Sequence, residues 1–494
     1  MTETLDLFQL KDGRYIASSE ISDKMYRLKT LQPETLHQDS TGYSLDESGM
    51  ADLFAELYAD NTRYCPERKS WYTYSEGAWR KDVDALLVSA KLQEFARLLV
   101  LYCGEITDDD KRQAFLKFVT RIGDRRFRDR IRADACSDLA ISASAFDSNP
   151  YLINCLNGTY DLSTGRFREH DRNDFLTFQT AFSYTLQQGV TAPRWTQFIR
   201  EVTEGDADKA DYLQRALGYS MIGTSDEECM FILHGKTTRN GKSTLLNTVT
   251  HMLGDYATVS PVSIICHSDQ SKNAESASPT LARLKGTRFV SMAESNQYGR
   301  LDEEAIKQLT GGEEITARNL YEAQMTYLPQ FTLWLSCNDL PAVQDKSLFA
   351  SDRVRVIEFN RHFSASERDV TLKDHFRQPD VMMGIFTWLI NGYRKYKDRG
   401  LKMSPKMQAV IDRYESSNDY ILLFLNEKTE KVNDGTLTKQ KTVYDAYKVW
   451  CKSNGFHSLN ISKFIAGLEG HPEKHDGILE DNGDRFIKNL VMKG

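Results

Sequence analysis

Phe231-Ile-Leu-His-Gly235-Lys-Thr-Thr-Arg-Asn-Gly241-Lys242-Ser243-Thr244-Leu-Leu246 is the stretch on which the reading of this chain turns. Its apolar start, Phe231 to Leu233, predicts a buried strand. A polar loop bounded by Gly235 and Gly241 follows, and Lys242-Ser243-Thr244 opens a helical pattern. A nucleotide phosphate needs this arrangement: backbone N–H groups at a helix N-terminus converge on the anion, a lysine reaches the β and γ phosphates, and a hydroxyl ligates Mg²⁺. Gly235, Asn240, Gly241, Lys242, Ser243 and Thr244 are the candidate phosphate-binding residues. The spacing is irregular, with five residues rather than four between the two glycines. A bare Gly-Lys-Ser or Gly-Lys-Thr also arises by chance in roughly one chain in four of this length, so the rest of the sequence has to decide.

Downstream of the loop, strand-like runs recur at 256–259, 288–292, 331–336 and 354–359, with helical segments between them. Strands alternating with helices predict a wound α/β sheet with nucleotide at its strand ends. A long helix, roughly 367–398, is expected to close this domain. Hydrolysis needs an acid to hold Mg²⁺ or polarise water, a polar group near the γ-phosphate, and an arginine for transition-state charge. Arg288-Phe-Val-Ser-Met-Ala-Glu294 ends a strand on a carboxylate. Phe331-Thr-Leu-Trp-Leu-Ser-Cys-Asn338 repeats the device with an amide, and Asp352-Arg353-Val-Arg355 supplies guanidinium groups before a strand. Taken singly, Glu294 reads equally as a helix cap, Asn338 as a turn residue before Pro341, and Arg355 as a surface charge. Together, in this order after a Gly-Lys-Ser loop, they favour an ATPase.

Between the acid and the amide, Thr310-Gly311-Gly312 breaks the pattern, and residues through Tyr327 alternate as in a loop and β-hairpin. The order of these motifs is similar to that of the superfamily 3 viral and plasmid DNA helicases. The phrases Leu309-Thr-Gly-Gly-x-x-Ile-Thr-Ala-Arg318 and Arg355-Val-Ile-x-Phe359 resemble the phage and plasmid primase–helicase branch, which includes the poxvirus replicative primase–helicase. Asn149-Pro-Tyr-Leu-Ile-Asn154-x-x-Asn157-Gly158-x-x-Asp161-Leu162 and Leu217-Gly-Tyr-Ser220 look like the domain preceding that helicase core.

The resemblance implies an AAA+-like P-loop ATPase core using ATP and Mg²⁺. Lys242 would bind the β and γ phosphates, Ser243 and Glu294 the metal, and Asn338 would be the γ-phosphate sensor. Lys307 would be the basic residue of the third motif. Either Arg353 or Arg355 would reach the ATP of a neighbouring subunit in a homo-oligomer, a hexamer. A hairpin before the sensor strand would grip single-stranded or forked DNA, pointing here to Arg318 and Tyr321, a cation and an aromatic suited to phosphate contact and base stacking. Two departures stand out: the extra loop residue, and Ser295-Asn296 where a second carboxylate is expected after the strand acid. A separate primase or polymerase would be a partner, because this chain shows neither a strand-borne Asp-x-Asp pair nor a Cys/His knuckle. The setting implied is the cytoplasm of a bacterial host of a phage or mobile element. A non-unwinding loader ATPase and an ATP-switched origin-binding initiator stay open as alternatives.

The flanks are less specific. Residues 1–45 read as a tail or tether. A helicase-associated, mainly helical N-terminal domain with hairpins at 71–79 and 152–162 is expected over 46–205, and the core over 206–400. Over 401–494, helical patterns at 417–427, 438–453 and 460–468 precede two apolar arms around Asn482-Gly483, which suggests a winged-helix-like domain. Composition is that of a globular protein, 40% hydrophobic and 27% charged over 494 residues. No run of about 18 apolar residues and no signal-like start are present, so no membrane is expected as a partner. The eight cysteines are scattered and read as reduced core residues. Net charge is −7, so any nucleic-acid surface has to be local. Residues 111–132 are one candidate, with nine basic residues against Asp124 and Asp129; a solvated helix face is the competing reading.

Overall fold

The computed structural model describes residues 43–106, 108–186, 190–267, 278–293, 300–318, 324–343, 347–454, 456, 458–481 and 483–493. The chain divides into two compact units, residues 1–190 with 251–256, and residues 191–250 with 257–494.

In the first unit the elements run α1 (Glu47–Tyr58), β1 (Thr62–Cys65), β2 (Ser70–Ser75), β3 (Ala78–Asp82), α2 (Leu86–Tyr102), α3 (Asp109–Ile122), α4 (Arg125–Asp138), β4 (Leu152–Cys155), β5 (Gly158–Asp161) and β6 (Arg166–Arg168). β1–β3 and β4–β6 form two antiparallel three-stranded sheets. The four helices bury a common core that includes Met50, Phe54, Leu92, Phe95, Phe115, Ile122 and Ile131. Three of their four starts are written in the sequence as aspartates. The carboxylates of Asp46, Asp108 and Asp124 accept from the N–H groups of Gly49, Lys111 and Arg126, each cap contributing about 1 kcal/mol. α4 escapes a periodicity reading because it is mostly arginine and aspartate. Only Phe127, Ile131 and Ala135, four residues apart, point inward.

The second unit opens with α5 (Pro193–Val202) and α6 (Ala207–Tyr219), then β7 (Met230–His234), α7 (Lys242–Leu253), β8 (Ala257–Val259), β9 (Phe289–Ala293), α8 (Glu303–Thr310), β10 (Ile315–Ala317), β11 (Met325–Tyr327), β12 (Thr332–Cys337) and β13 (Val354–Glu358). β7, β8, β9, β12 and β13 form one parallel sheet in the order β13-β7-β12-β9-β8. Both faces are covered, so the strands are near-continuous apolar runs. Met230, Ile232, Leu333, Leu335, Val354 and Val356 enter one cluster. On the opposite face Phe231 stacks on Trp334 at 4.4 Å and Trp334 on Phe289 at 5.7 Å. The buried indole N–H of Trp334 is satisfied by Ser220 Oγ at 2.9 Å.

After the sheet, the single helix expected over 367–398 is two: a short one at Leu372–Phe376, then α9 (Pro379–Arg399). Pro379 has no N–H to continue a helix and drives the residue before it out of the α region; Gln378 is extended, with ψ 136°. α9 packs on α6 through two glycines. A Cβ on Gly392 would lie 2.1 Å from Gln214 O, and one on Gly218 2.2 Å from Tyr393 N.

The chain ends with α10 (Pro405–Ser417), α11 (Tyr420–Lys428), β14 (Thr429–Lys431), β15 (Leu437–Lys439), α12 (Gln440–Ser453), α13 (Ile461–Glu469), β16 (Ile478–Asp481), β17 (Asp484–Lys488) and β18 (Leu490–Met492). β15, β17 and β16 pair in that order, and β14 pairs with β18. α11–α13 share their own apolar cluster around Phe424, Tyr447, Phe464 and Leu468.

Candidate functional site

The loop after β7 is held from both ends. Gly235 N–H donates to Cys337 O at 3.2 Å, and Phe359 N–H to His234 O at 2.7 Å, so the strand end is clamped between β12 and β13. A Cβ on Gly235 would lie 2.3 Å from Phe359 O. Asn240, buried, donates through Nδ2 to Thr237 O at 2.5 Å and Gly235 O at 3.4 Å, closing the loop on itself. Gly241 has φ +90°, and a Cβ there would meet Val202 Cγ1 at 2.5 Å. A side chain is thus excluded twice at this position. Lys242 then starts α7, where the first N–H groups lie outside the helical ladder.

The lysine and the amide named from sequence meet. Lys242, 4% exposed, donates from Nζ to Gly235 O at 2.9 Å and to Asn338 Oδ1 at 3.0 Å. The two residues lie 96 apart in the chain. They converge because β7 and β12 are parallel neighbours in register, His234 opposite Cys337, so both segments leave the sheet side by side. Crevices beyond the carboxyl ends of such strands are where α/β sheets bind ligands. Residues 235–244 hold three cations, Lys236, Arg239 and Lys242, and no carboxylate. Lys236 and Arg239 are exposed, as is Ser243 on the first turn of α7; Thr244 is half-buried. A polyphosphate fits this donor set. The loop's charge count is the signal that would have added Lys236 and Arg239 to the candidates. His234 is a further residue that motif reading passes over: 8% exposed, with Nδ1 lacking a hydrogen-bond partner. Burial, with help from Lys242 and Lys236, holds its pKa below the ordinary value against the opposing pull of Glu358.

The arginines are elsewhere. Arg355 lies level with Phe231, three residues before His234 in the register, or about 10 Å back along the sheet. It is buried, its Nη1 donating to Leu401 O at 2.7 Å and its Nη2 lying 3.4 Å from Glu227. Arg353, further back still, donates to Thr310 Oγ1 at 2.9 Å and pairs with Glu228. Within one chain, then, both guanidinium groups are bonded at the end of the sheet opposite the loop.

Glu294 and Tyr321 lie outside the described residues. β10 and β11 pair antiparallel, Ile315 with Tyr327 and Thr316 with Thr326. Arg318 stands exposed at the end of β10, its carbonyl accepting from Ser278 N at 3.0 Å. Lys307 is half-buried on α8 and lines a cleft of about 970 Å³ with Arg300, Glu303, Asp419, Lys463 and His471. Among the described residues no helix is long and apolar enough to cross a membrane.

Comparison with known proteins assigns the chain in three pieces. Residues 51–204 match a family described as D5 N terminal like, residues 233–353 a family of unknown function, and residues 416–492 a family described as Poxvirus D5 protein-like. The "Putative helicase L207/L206" of Acanthamoeba polyphaga mimivirus is 27% identical over 481 residues, covering 89% of this chain and 49% of the relative. The "Putative helicase 022R" of Frog virus 3 is 27% identical over 281 residues, covering 53% of this chain and 28% of the relative. Among solved structures, the apo C-terminal region of NrS-1 aligns with a TM-score of 0.49 and 10% identity, over 90% of this chain and 99% of that one. Residues 51–204 and 416–492 are thus similar to families described by D5 proteins, at the two ends of the chain. The chain spans at most about half the length of these viral relatives. Their sources are viruses of eukaryotes, and the bacterial host expected from the resemblance finds no support in them.

Proposed function

We propose that this chain is the ATP-driven motor of a replicative DNA helicase of a virus or related mobile element. It would be an AAA+-like P-loop ATPase of superfamily 3, working as a hexameric ring on single-stranded or forked DNA. The observation that carries the reading is the meeting of Lys242 with Asn338 at the mouth between β7 and β12, beside a helix N-terminus and a loop with three cations and no acid. The helicase names of the viral relatives support the same direction.

In this reading Lys242 exchanges its two neutral oxygens for β- and γ-phosphate oxygens, while N–H groups at the start of α7 take the remaining charge. Freed from the lysine, the amide of Asn338 turns to the γ-phosphate or the attacking water. The Ser243 hydroxyl and the Glu294 carboxylate would hold Mg²⁺, which when bound neutralises charge developing on the phosphates. Of the two arginines, Arg353 is the better finger: it sits nearer the surface than Arg355 and leaves behind exposed Glu228, a threonine hydroxyl and the Lys307 carbonyl. Lys307, Arg318 and Tyr321 serve DNA, with the β10–β11 hairpin as the gripping element. The C-terminal helices and β16–β17 act as a winged helix, and primer synthesis falls to a separate primase or polymerase.

The test is ATP hydrolysis with and without single-stranded DNA. Lys242→Ala is expected to lower turnover by about a hundredfold or more, the scale of removing one preorganised charge-stabilising donor. Unchanged DNA-stimulated hydrolysis would overturn the proposal.

A further inference from the structure

α3 and α4 form a basic hairpin that the nucleotide site does not use. The two helices are joined by only Gly123 and Asp124, and the Phe118 and Phe127 rings meet edge-on at 5.9 Å to lock them together. Of the nine basic residues between 111 and 132, some have structural duties. Arg128 donates to the carbonyls of Ile122 at 2.8 Å and Gly123 at 2.6 Å, closing the end of α3. Arg130 pairs with Glu47 at 2.6 Å, Arg132 with Asp129 at 3.1 Å, and Arg112 with Asp109. Lys117, Arg121, Arg125 and Arg126 are different. All four are exposed, and Arg125 makes only a loose 3.7 Å approach to Asp129. Arg121 lies over the Phe127 ring at 4.9 Å, so its position is fixed by the hairpin itself. Asp124, the acid of the connecting turn, caps Arg126 N.

We infer that this face of α3 and α4 is a second nucleic-acid contact, one that tracks the phosphate backbone without reading sequence. Lys117 and Arg121 are four residues apart on one helix face, so their side chains are neighbours about 6 Å apart, close enough to meet successive phosphates. Arg125 and Arg126, just across the turn, add two further exposed cations. The residue types name the ligand. Phe115, Phe118 and Phe127 are all buried, so no ring is offered for base stacking. Leu116 is the one large exposed apolar side chain of the hairpin among the described residues, too little to anchor a membrane or a protein interface. What is left is a cluster of exposed cations in a chain of net charge −7, which suits a polyanion and little else.

The inference rests on the DNA-directed reading above and is tested so that the two fail separately. Binding of a labelled single strand of about thirty nucleotides is measured without nucleotide over about 50–200 mM salt. The full chain is compared with the Lys117→Gln, Arg121→Gln, Arg125→Gln, Arg126→Gln variant. Each phosphate contact contributes about 0.7 to the slope of log K against log salt, so the variant's slope is expected to be shallower by about 3. Arg125→Gln with Arg126→Gln alone should remove about half of that, which keeps the test valid if the fourfold variant does not fold. Replacing the exposed lysines Lys397, Lys402 and Lys406 by glutamine should leave the slope as it is. An unchanged slope in the hairpin variants, or an equal fall in the lysine control, overturns the inference. A wild-type chain that binds no DNA at any salt overturns the helicase reading together with it.

Discussion

His234 closes β7 with an imidazole whose protonation the fold disfavours. In the unfolded chain the ring takes a proton near the ordinary value of 6.5, whereas in the native state burial lowers that value. As pH falls through 6.5 the unfolded state therefore gains a proton that the native state refuses, and stability drops; above 6.5 this contribution is flat. Urea midpoints at about pH 7.5 and about pH 5.5 should show a smaller acid loss for His234→Asn than for wild type, and an equal loss in both would remove this account. Gly235 also shows why the loop spacing looked irregular. Its N–H belongs to the β7–β12 edge, and its missing side chain makes room for Phe359 O. A glycine set by sheet packing need not keep a fixed distance from Gly241, whose own lack of a side chain is demanded by φ +90° and Val202. Lys242 was legible from the Gly-Lys-Ser motif downstream of the apolar run Phe231–Leu233, and Asn338 because it directly follows the strand-like run that starts at Phe331. His234 was not, since an imidazole at a strand end announces itself only once its neighbours are known.

At the level of elements, these sheet strands were readable because they are buried on both faces and carry near-continuous apolar runs; observed β9, β12 and β13 lie within a residue of the expected spans. α4 was missed because one inward residue per turn gives too narrow a stripe. The break before α9 was missed because periodicity outweighed Pro379. The packing of α6 on α9 was not legible either, since nothing local marks Gly218 and Gly392 as facing glycines. Gly392→Ala is expected to destabilise the protein by about 1–3 kcal/mol, the usual cost of forcing a methyl group into a filled interface. Gly312→Ala, in open space, should stay within about 0.5 kcal/mol. Denaturant midpoints compare the two, and equal shifts would show that the helix contact is looser than the structure has it.

On the scale of the whole molecule, the register separates Lys242 from Arg353 and Arg355 by most of the sheet's length. One copy therefore carries the loop at one end of the sheet and the two arginines at the other, and in the proposed ring a head-to-tail contact would bring Arg353 of one copy to the loop of the next. With ATP and single-stranded DNA, a mass measurement should find six times the 56.6 kDa chain; a lone chain under those conditions would end the ring model. That asymmetry was not visible in motif order, because sequence says which strands carry the residues but not which ends face one another. β12 adds a mechanical consequence. It is six residues long, about 20 Å, and buried along its whole length. Asn338 caps one end of this rod, while the other end is reached four residues after β11. Close-packed interiors yield little, so in the proposed motor a turn of the Asn338 amide is expected to shift β12 as one body, and faster or slower amide exchange in β10–β11 with a non-hydrolysable ATP analogue would register it.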